Sequence, residues 1–417
     1  MKKFAIVGFG SRGQRFGGFI QADRAAQFYA VAEPVQHSRE KAHNEFDVSV
    51  DRCYRDADEF FAQGKICDAV FICTQDAQHY DHVMKALSLG YDVCLEKPAA
   101  VNIEQCESIR NTANKLGRKV MLTHVLRYSP FFLKIKELID GGALGEIATI
   151  NLTENVAYWH FALSYVRGPW RDTKLSTPAI IAKCCHDLDL IVWMMSGKHC
   201  TDVSSYGNLF YYNEAHAPEG SANYCVDCDP SVKEKCLYNA FKIYPERVQT
   251  AVVGGTSAVT EENVLAVISG REHIWGRCIY RCDNDAVDHQ VVNMQFSNGA
   301  TAHLTMTAFS ERCYRFIKVH GTQGEVYGNL DEGILYYTPY GKEQQIIDVN
   351  KLSEIDLNDG HGGGDYYLYK DFYDYIDGKP TSVSRTSIDA SIESHLIGFG
   401  AEESRLNGGK SIKIRRT

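Results

Sequence analysis

Three sets of residues in this chain have the types and spacing to do chemistry. Gly8, Gly10 and Gly13 form a G-x-G-x-x-G run that also holds Ser11 and Arg12, and Glu33 lies twenty residues after the last glycine. In such a run the first glycine permits a tight turn and the second lets the backbone approach a pyrophosphate. The third lets a helix lie close to its strand, so that unpaired N–H groups and the positive dipole end face the phosphates. An acid at the distance of Glu33 meets the ribose hydroxyls. A carboxylate repels a 2′-phosphate and so favours NAD, while His37 and Arg39 keep NADP open. Lys97 is the second feature: it follows Glu96, is fixed by Pro98, and sits where a strand gives way to a loop. Third, Cys225-x2-Cys228-x7-Cys236 has the start of a metal-ligand spacing.

The elements that position these residues read as a doubly wound α/β domain. Phe4–Val7 is an apolar strand that empties into the glycines, and Gln27–Ala32 is a second that ends at Glu33. A helix-like stretch, 38–46, leads to the strand 68–74, whose carboxyl end carries Thr74, Asp76 and His79. Ligands of open α/β sheets sit beyond the carboxyl ends of the strands, so Thr74 and His79 border the cofactor. A helix over 79–89 stops at Gly90, and the strand 91–95 delivers Glu96 and Lys97 to the same edge.

These residues together resemble the Gfo/Idh/MocA oxidoreductase family, which includes glucose–fructose oxidoreductase and inositol dehydrogenase. The opening glycines, Asp68-Ala69-Val70 with Thr74 and His79, Gly90, and Glu96-Lys97-Pro98 carry the resemblance. It continues through Lys119–His124, Arg127-Tyr128, a helix to Gly141 and the turn Leu144-Gly145-Glu146-Ile147. It implies a Rossmann dinucleotide-binding domain over 1–124. Residues 125–417 are then a substrate-binding and oligomerisation α/β domain built on a large, open, mostly antiparallel sheet. Strand-like runs at 287–296, 301–308, 315–320 and 324–328, with a turn at Asn298-Gly299, agree. Such sheets commonly supply a subunit interface, and the expectation is a homodimer or homotetramer. An aromatic helix over 365–376 and a helix beginning with Thr386 and Asp389 and ending near 407–409 complete the chain. The basic tail 410–416 reads as a final strand.

Hydride transfer from an alcohol needs a nicotinamide held against the carbinol hydrogen and a base for the hydroxyl proton. Lys97 can hydrogen-bond that hydroxyl or act as acid–base, and the resemblance gives the family's active-site lysine this position. Glu96 and Lys97 are counted with the cofactor contacts. In Ala182-Lys183-Cys184-Cys185-His186, a helix would place Lys183 and His186 on one face. His186 matches the histidine the family sets beside the reacting hydroxyl. The family pattern has an Asp four residues earlier; Ala182 stands there, and Lys183 follows as a substitute polar group. The catalytic candidates are thus Lys97, His186 and Lys183.

Cys225, Cys228 and Cys236 suit a structural zinc, ahead of an iron–sulfur cluster, with Cys185, Cys200 or His216 as a fourth ligand, pinning a loop with little apolar sequence. Gly360-His361-Gly362-Gly363-Gly364-Asp365 is a glycine loop that offers His361 and Asp365 to the substrate. Trp159, His160, Trp170 and Arg171 could present aromatic faces and polar edges to a sugar.

The 417 residues are 44% hydrophobic and 23% charged, enough for two full cores. A formal charge of −9 opposes nucleic acid or an anionic membrane surface as partner. The first strand begins too early for a signal peptide, no apolar run approaches a membrane span, and fourteen cysteines suit a reducing cytoplasm. The function expected is an NAD(P)-dependent oxidoreductase of a sugar, polyol or related carbohydrate. An NAD-dependent glycosidase working by transient oxidation and elimination is the alternative. A non-catalytic cofactor-binding regulator is a third reading, opposed by the presence of both Lys97 and His186.

Overall fold

The computed structural model describes residues 1–247, 249–254, 257–352 and 361–415. Gly360 of the glycine loop and Arg416 of the tail lie outside the described residues. Six parallel strands form the first sheet: β1 (Lys2–Val7), β2 (Ala26–Ala32), β3 (Cys53–Tyr54), β4 (Ala69–Ile72), β5 (Asp92–Leu95) and β6 (Val120–Leu122). Their order is β3-β2-β1-β4-β5-β6, so the chain reverses its direction of winding beside β1 and opens a crevice at the strand ends. Alternation explains the burial. Phe4 and Ile6 of β1 and Ala69 and Phe71 of β4 enter one core with Phe16 and Phe28, while Ala5, Val7, Val70 and Ile72 enter the core on the opposite face. Both faces are covered, which is why these strands read as unbroken apolar runs.

The second sheet has nine strands: β7 (Ile147–Ala157), β8 (Cys200–Asn208), β9 (His289–Phe296), β10 (Thr301–Ser310), β11 (Tyr314–Gly321), β12 (Gly324–Asn329), β13 (Ile334–Pro339), β14 (Gln345–Asp348) and β15 (Ile412–Lys413). They run in the order β14-β13-β12-β11-β7-β10-β9-β8-β15, and only β7 with β10 is parallel. The strands expected between 287 and 328 are β9 to β12, and the tail contributes β15. One face carries Ile150, Leu152, Leu304, Met306, Ile317 and Val319 into the largest core.

The last two helices return to the first domain. Gly364–Ile376 sends Leu368, Tyr369 and Phe372 onto Phe4 and Phe71, and Ile388–Leu406 sends Ile388 and Ile392 into the other core. Ser387, one residue beyond the expected start, caps the second helix by accepting from the Ala390 N–H. Thr386 instead donates its hydroxyl to the Leu122 carbonyl.

Two expectations need correction. Lys183 and His186 do not share a continuous helix: Ala179–Ala182 ends, Lys183 and Cys184 turn, and Cys185–Met194 begins anew. The cysteine loop is also not poor in apolar packing. Helices Ala240–Arg247, Gln249–Val253 and Glu261–Ser269 give it a small core of its own, where Cys225 packs with Leu163, Ile243, Tyr244, Val264 and Ile268. No helix of the described residues is long and apolar enough to cross a membrane.

Candidate active site and nucleotide cleft

The glycine turn follows from contact distances. Gly8 has φ +89°, and a Cβ there would sit 2.6 Å from the Cys73 carbonyl oxygen; one on Gly13 would sit 2.2 Å from the Gly8 oxygen. A Cβ on Gly10 would meet nothing within 4 Å. Strand and helix thus close on each other through Gly8 and Gly13, while Gly10 faces open space. Gly10 is also the N-cap of the helix Ser11–Ala22, with no side chain capping the N–H groups and no acid in the first turn. Glu33 folds back over the turn, accepting from Phe9 N at 2.6 Å and Val35 N at 3.0 Å. Arg39 donates to the carbonyls of Glu33 and Pro34. A bare helix end, an open cradle and an adjacent acid fit a dinucleotide: the backbone from Gly10 to Gly13 would hold its pyrophosphate and the Glu33 edge its ribose.

Thr74 and His79 brace the rim. The buried His79 ring lies with Nδ1 2.7 Å from the Pro98 oxygen and Nε2 3.0 Å from the Thr74 oxygen, tying the loops after β4 and β5 together. The Thr74 hydroxyl pairs with His82. Asp76, buried between them, accepts from Trp170 Nε1 and the Thr177 hydroxyl.

Arg12 points away from the helix end. Its Nε donates to Glu96 at 2.6 Å and its Nη1 and Nη2 to Asp365 at 3.1 and 2.8 Å, with Arg15 donating to the same carboxylate at 2.8 Å. Burial pushes the Asp365 carboxyl up, but His361 and Arg12 outweigh it and hold it well below the ordinary range. His361 Nδ1 lies 3.4 Å from Asp365, and its ring stands 5.8 Å from that of His186. The glycine loop thus brings the His361 ring beside that of His186, with Asp365 anchored by Arg12 and Arg15. Glu96 also accepts from Lys97 N, which is shared with the Thr123 hydroxyl.

The Lys97 ammonium donates to the carbonyl oxygen of Ala182 at 2.8 Å. His186 is 5% exposed, its Nδ1 has no hydrogen-bond partner, and burial followed by the charge of Lys97 and the rings of His124 and His361 holds it neutral, well below its ordinary value. Lys97 and His186 are thus close enough to act on each other. Burial, with Lys183 and Lys97, likewise lowers His160 to about 3.

Lys183 lies apart from His186 in a buried charge network. Its ammonium is 3.0 Å from Glu154, Arg315 is 2.9 Å from the same carboxylate, and Arg315 Nε donates to Asp187 at 2.7 Å. Burial alone would lower Lys183, but Glu154 reverses the shift and keeps it charged. Glu154, Arg315 and His124 were not among the residues expected at the site. Glu154 had a signal: it takes the core phase of β7, after Ile150 and Leu152 and before Val156, where a carboxylate needs a partner. His124 is buried with no hydrogen bond to either ring nitrogen, its Nε2 4.0 Å from the Asp189 carboxylate and its ring 5.6 Å from that of His186. Of the other expected contacts, Arg171 is taken by Asp283, and Trp159 packs against the small core around Cys225.

The metal expectation is corrected. Among the described residues no group of three or more His, Cys, Asp or Glu side chains is arranged to hold a metal ion. Cys225 Sγ accepts from Arg167 and Cys228 Sγ from Ala222 N. Cys185 is buried beside His186 in the chain, Cys200 lies in the core of the second sheet, and His216 packs on Phe210 and Tyr211.

A doubly wound parallel sheet with a bare glycine turn, joined to a nine-stranded domain with an ammonium and a buried neutral imidazole between the two, is the architecture of a two-domain NAD-binding oxidoreductase. Residues 2–124 match the family model for an oxidoreductase NAD-binding Rossmann fold, and residues 136–409 match that family's C-terminal α/β domain. The chain belongs to the Gfo/Idh/MocA family. It is 26% identical over 322 residues to the putative oxidoreductase YteT of Bacillus subtilis, covering 73% of this chain and 72% of that one. Over 137 residues it is 37% identical to an inositol 2-dehydrogenase/D-chiro-inositol 3-dehydrogenase of Lactiplantibacillus plantarum, which is 31% of this chain and 35% of that one. Alignments with three further curated relatives span 55%, 59% and 57% of their lengths. An inositol dehydrogenase homolog from Azotobacter vinelandii, solved with NADH and myo-inositol, superposes with a TM-score of 0.70 at 15% identity, covering 99% of this chain and 97% of that one; the likeness is one of fold.

Proposed function

We propose that the chain oxidises a secondary hydroxyl of a sugar or polyol, or reduces the matching ketone, with NAD as hydride carrier. The observation that carries this reading is the placement of a neutral, buried His186 beside an ammonium that rests on a neutral carbonyl. A neutral imidazole can take the hydroxyl proton, and an ammonium not spent on a carboxylate can hydrogen-bond the developing alkoxide. The bound nicotinamide would supply the hydride acceptor. The inositol dehydrogenase names among the relatives support a polyol. Glu33 supports NAD over NADP, since its carboxylate already crowns the turn where a 2′-phosphate would come.

A second reading keeps the site and changes the outcome. Ala182, where the family pattern has an acid, favours transient oxidation followed by elimination of a glycosidic substituent and return of the hydride. A panel of polyols, free sugars and aryl glycosides, incubated with NAD and with NADP while absorbance and product are followed, tests both. Accumulating NADH with a free polyol or sugar supports the first; aglycone release without net NADH supports the second; neither, in protein that binds NADH, removes both.

The same reading has the chain working in the cytoplasm as a homodimer or homotetramer. Its support is the outer face of the second sheet, where Phe316, stacked Tyr327 and Tyr336, and the 67% exposed Ile346 form an apolar patch.

A further inference from the structure

His361 is the one residue with a side chain in the run from Gly360 to Gly364. Its φ is +53°, and Gly362 and Gly363 follow at +62° and +77°, so three consecutive residues take the left-handed backbone that favours glycine. The loop has no room to relax: a Cβ on Gly362 would sit 2.6 Å from Ser129 Oγ, and one on Gly364 2.1 Å from the Val125 oxygen. A histidine kept in that backbone points to a use for its ring. Anchoring the loop does not explain it. Arg12 Nη1 and Nη2 and Arg15 Nε already hold Asp365 at 3.1, 2.8 and 2.8 Å, whereas His361 Nδ1 reaches the same carboxylate only at 3.4 Å. The His361 side chain is 36% exposed where that of Asp365 is 1% exposed, and among the described residues its Nε2 makes no hydrogen bond.

We infer that His361 binds the substrate hydroxyl next to the one oxidised, accepting its hydrogen bond through Nε2, and that Asp365 is the positioning residue that holds the ring for it. This rests on the reading of the site as one acting on a sugar or polyol. Held by two guanidinium groups, Asp365 is a carboxylate and can only accept, so in the neutral ring the proton sits on Nδ1 and the lone pair on Nε2. A lone pair takes a hydroxyl donor. The ring of His361 stands 5.8 Å from that of His186, near enough for the two imidazoles to address oxygens on adjacent carbons. His186 takes the proton of the reacting hydroxyl, and His361 fixes the rotation of the reacting carbon through its neighbour. The substrate class narrows to vicinal diols. Arg12, which grips Asp365, lies between Ser11 and Gly13, so the anchor of this contact is built on the same turn that would carry the pyrophosphate.

The test is a cycle of variants against analogues on the full-length protein. The compounds are the polyols and free sugars of the panel above, myo-inositol and glucose included, with the monodeoxy analogues of the one turned over fastest. Wild type should lose about tenfold or more in kcat/KM on the analogue that lacks the neighbouring hydroxyl. His361→Gly, which suits the left-handed backbone, should melt close to wild type and bind NADH, followed by fluorescence, within about threefold. Its kcat/KM should fall about tenfold on the full substrate and stay within about threefold of wild type on that analogue. Asp365→Asn should blunt the same preference, and if that variant does not fold, the His361→Gly cycle decides alone. A loss in His361→Gly that is equal on substrate and every analogue, or no loss at all, overturns the inference and leaves the oxidoreductase reading standing. So does a His361→Gly protein that unfolds, since the ring is then structural. Wild type that turns over none of the compounds removes that reading and this contact with it.

Discussion

The ammonium of Lys97 lies 2.8 Å from the carbonyl oxygen of Ala182, so the position where the family pattern has an aspartate contributes backbone in place of a side chain. A carbonyl orients the lysine without neutralising it, leaving its charge for a substrate oxygen. Lys97→Met keeps most of the stem and removes the charge. Turnover of whichever polyol the substrate panel identifies should fall by about 10²–10⁴-fold, while NADH affinity, measured by fluorescence titration, stays within about threefold. Retained turnover would take Lys97 out of the chemistry.

His186→Ala should behave in the same direction for a different reason. The imidazole is held neutral by burial and by the positive charge of Lys97, which suits a proton acceptor. We expect kcat to drop about 10²-fold or more with the melting temperature nearly unchanged, because His186 Nδ1 has no hydrogen bond to lose. Unaltered kcat in a folded variant would assign the proton transfer to another group, with His124 and His361 both in ring contact with this position.

Local pattern made the first domain legible. Two-sided burial turned β1 and β4 into continuous apolar runs, and the glycines, Glu33, Glu96 and Lys97 each sit at a strand end that such runs announce. The second domain was legible where alternation held, in β9 to β12. The pocket's other wall was not, because it is made by contacts remote in sequence. Asp365 reaches Arg12 across 353 positions and Arg315 reaches Asp187 across 128. No periodicity encodes such pairings. The turn at Lys183 and Cys184 was missed because apolar residues on both sides read as one helix, whereas Glu154 pulls Lys183 out of its line.

Gly8 and Gly10 should separate folding from cofactor binding. Gly10 has φ −71° and open space where a Cβ would stand, so Gly10→Ala should fold with a melting temperature close to wild type. Its methyl group would occupy the approach of the pyrophosphate, and NADH affinity should weaken about tenfold or more. Gly8→Ala meets the Cys73 carbonyl at 2.6 Å from a left-handed backbone and should lose stability outright. Equal NADH affinity in Gly10→Ala and wild type would place the nucleotide elsewhere.

Glu154→Gln tests the buried charge network. Lys183 and Arg315 both lean on this carboxylate, and both would then share only Asp187, which Arg315 already holds. Removing one partner of a buried ion pair leaves uncompensated charge, and we expect a loss of about 3 kcal/mol in urea unfolding. Lys183→Met in the same background should recover part of that loss, since it removes one of the stranded cations. If it recovers none, the two side chains are not coupled through Glu154.

Acid sensitivity follows from the imidazoles gathered around the pocket. Burial holds His124 and His186 well below the ordinary value of 6.5, His160 at about 3 and His395 at about 4. For a histidine lowered in the fold, the unfolded chain binds the proton first, so its stabilisation is present above pH 6.5 and is lost as pH falls below it. Each such group contributes a slope approaching about 1.4 kcal/mol per pH unit once the unfolded imidazole is protonated. Burial raises Asp187 and Asp189 in the fold, so they take up protons ahead of the unfolded chain and work in the opposite direction. His82, His303 and His361 are lowered by burial as well, so the histidines outweigh the two raised carboxyls and leave a net loss: the urea midpoint should fall between pH 7 and pH 5. His395→Gln should flatten that fall without abolishing it, because His395 accepts from the Ala99 N–H and glutamine can still offer an oxygen there. A midpoint that does not fall across this range, in wild type and in His395→Gln alike, would mean that the lowered histidines do not dominate the acid response.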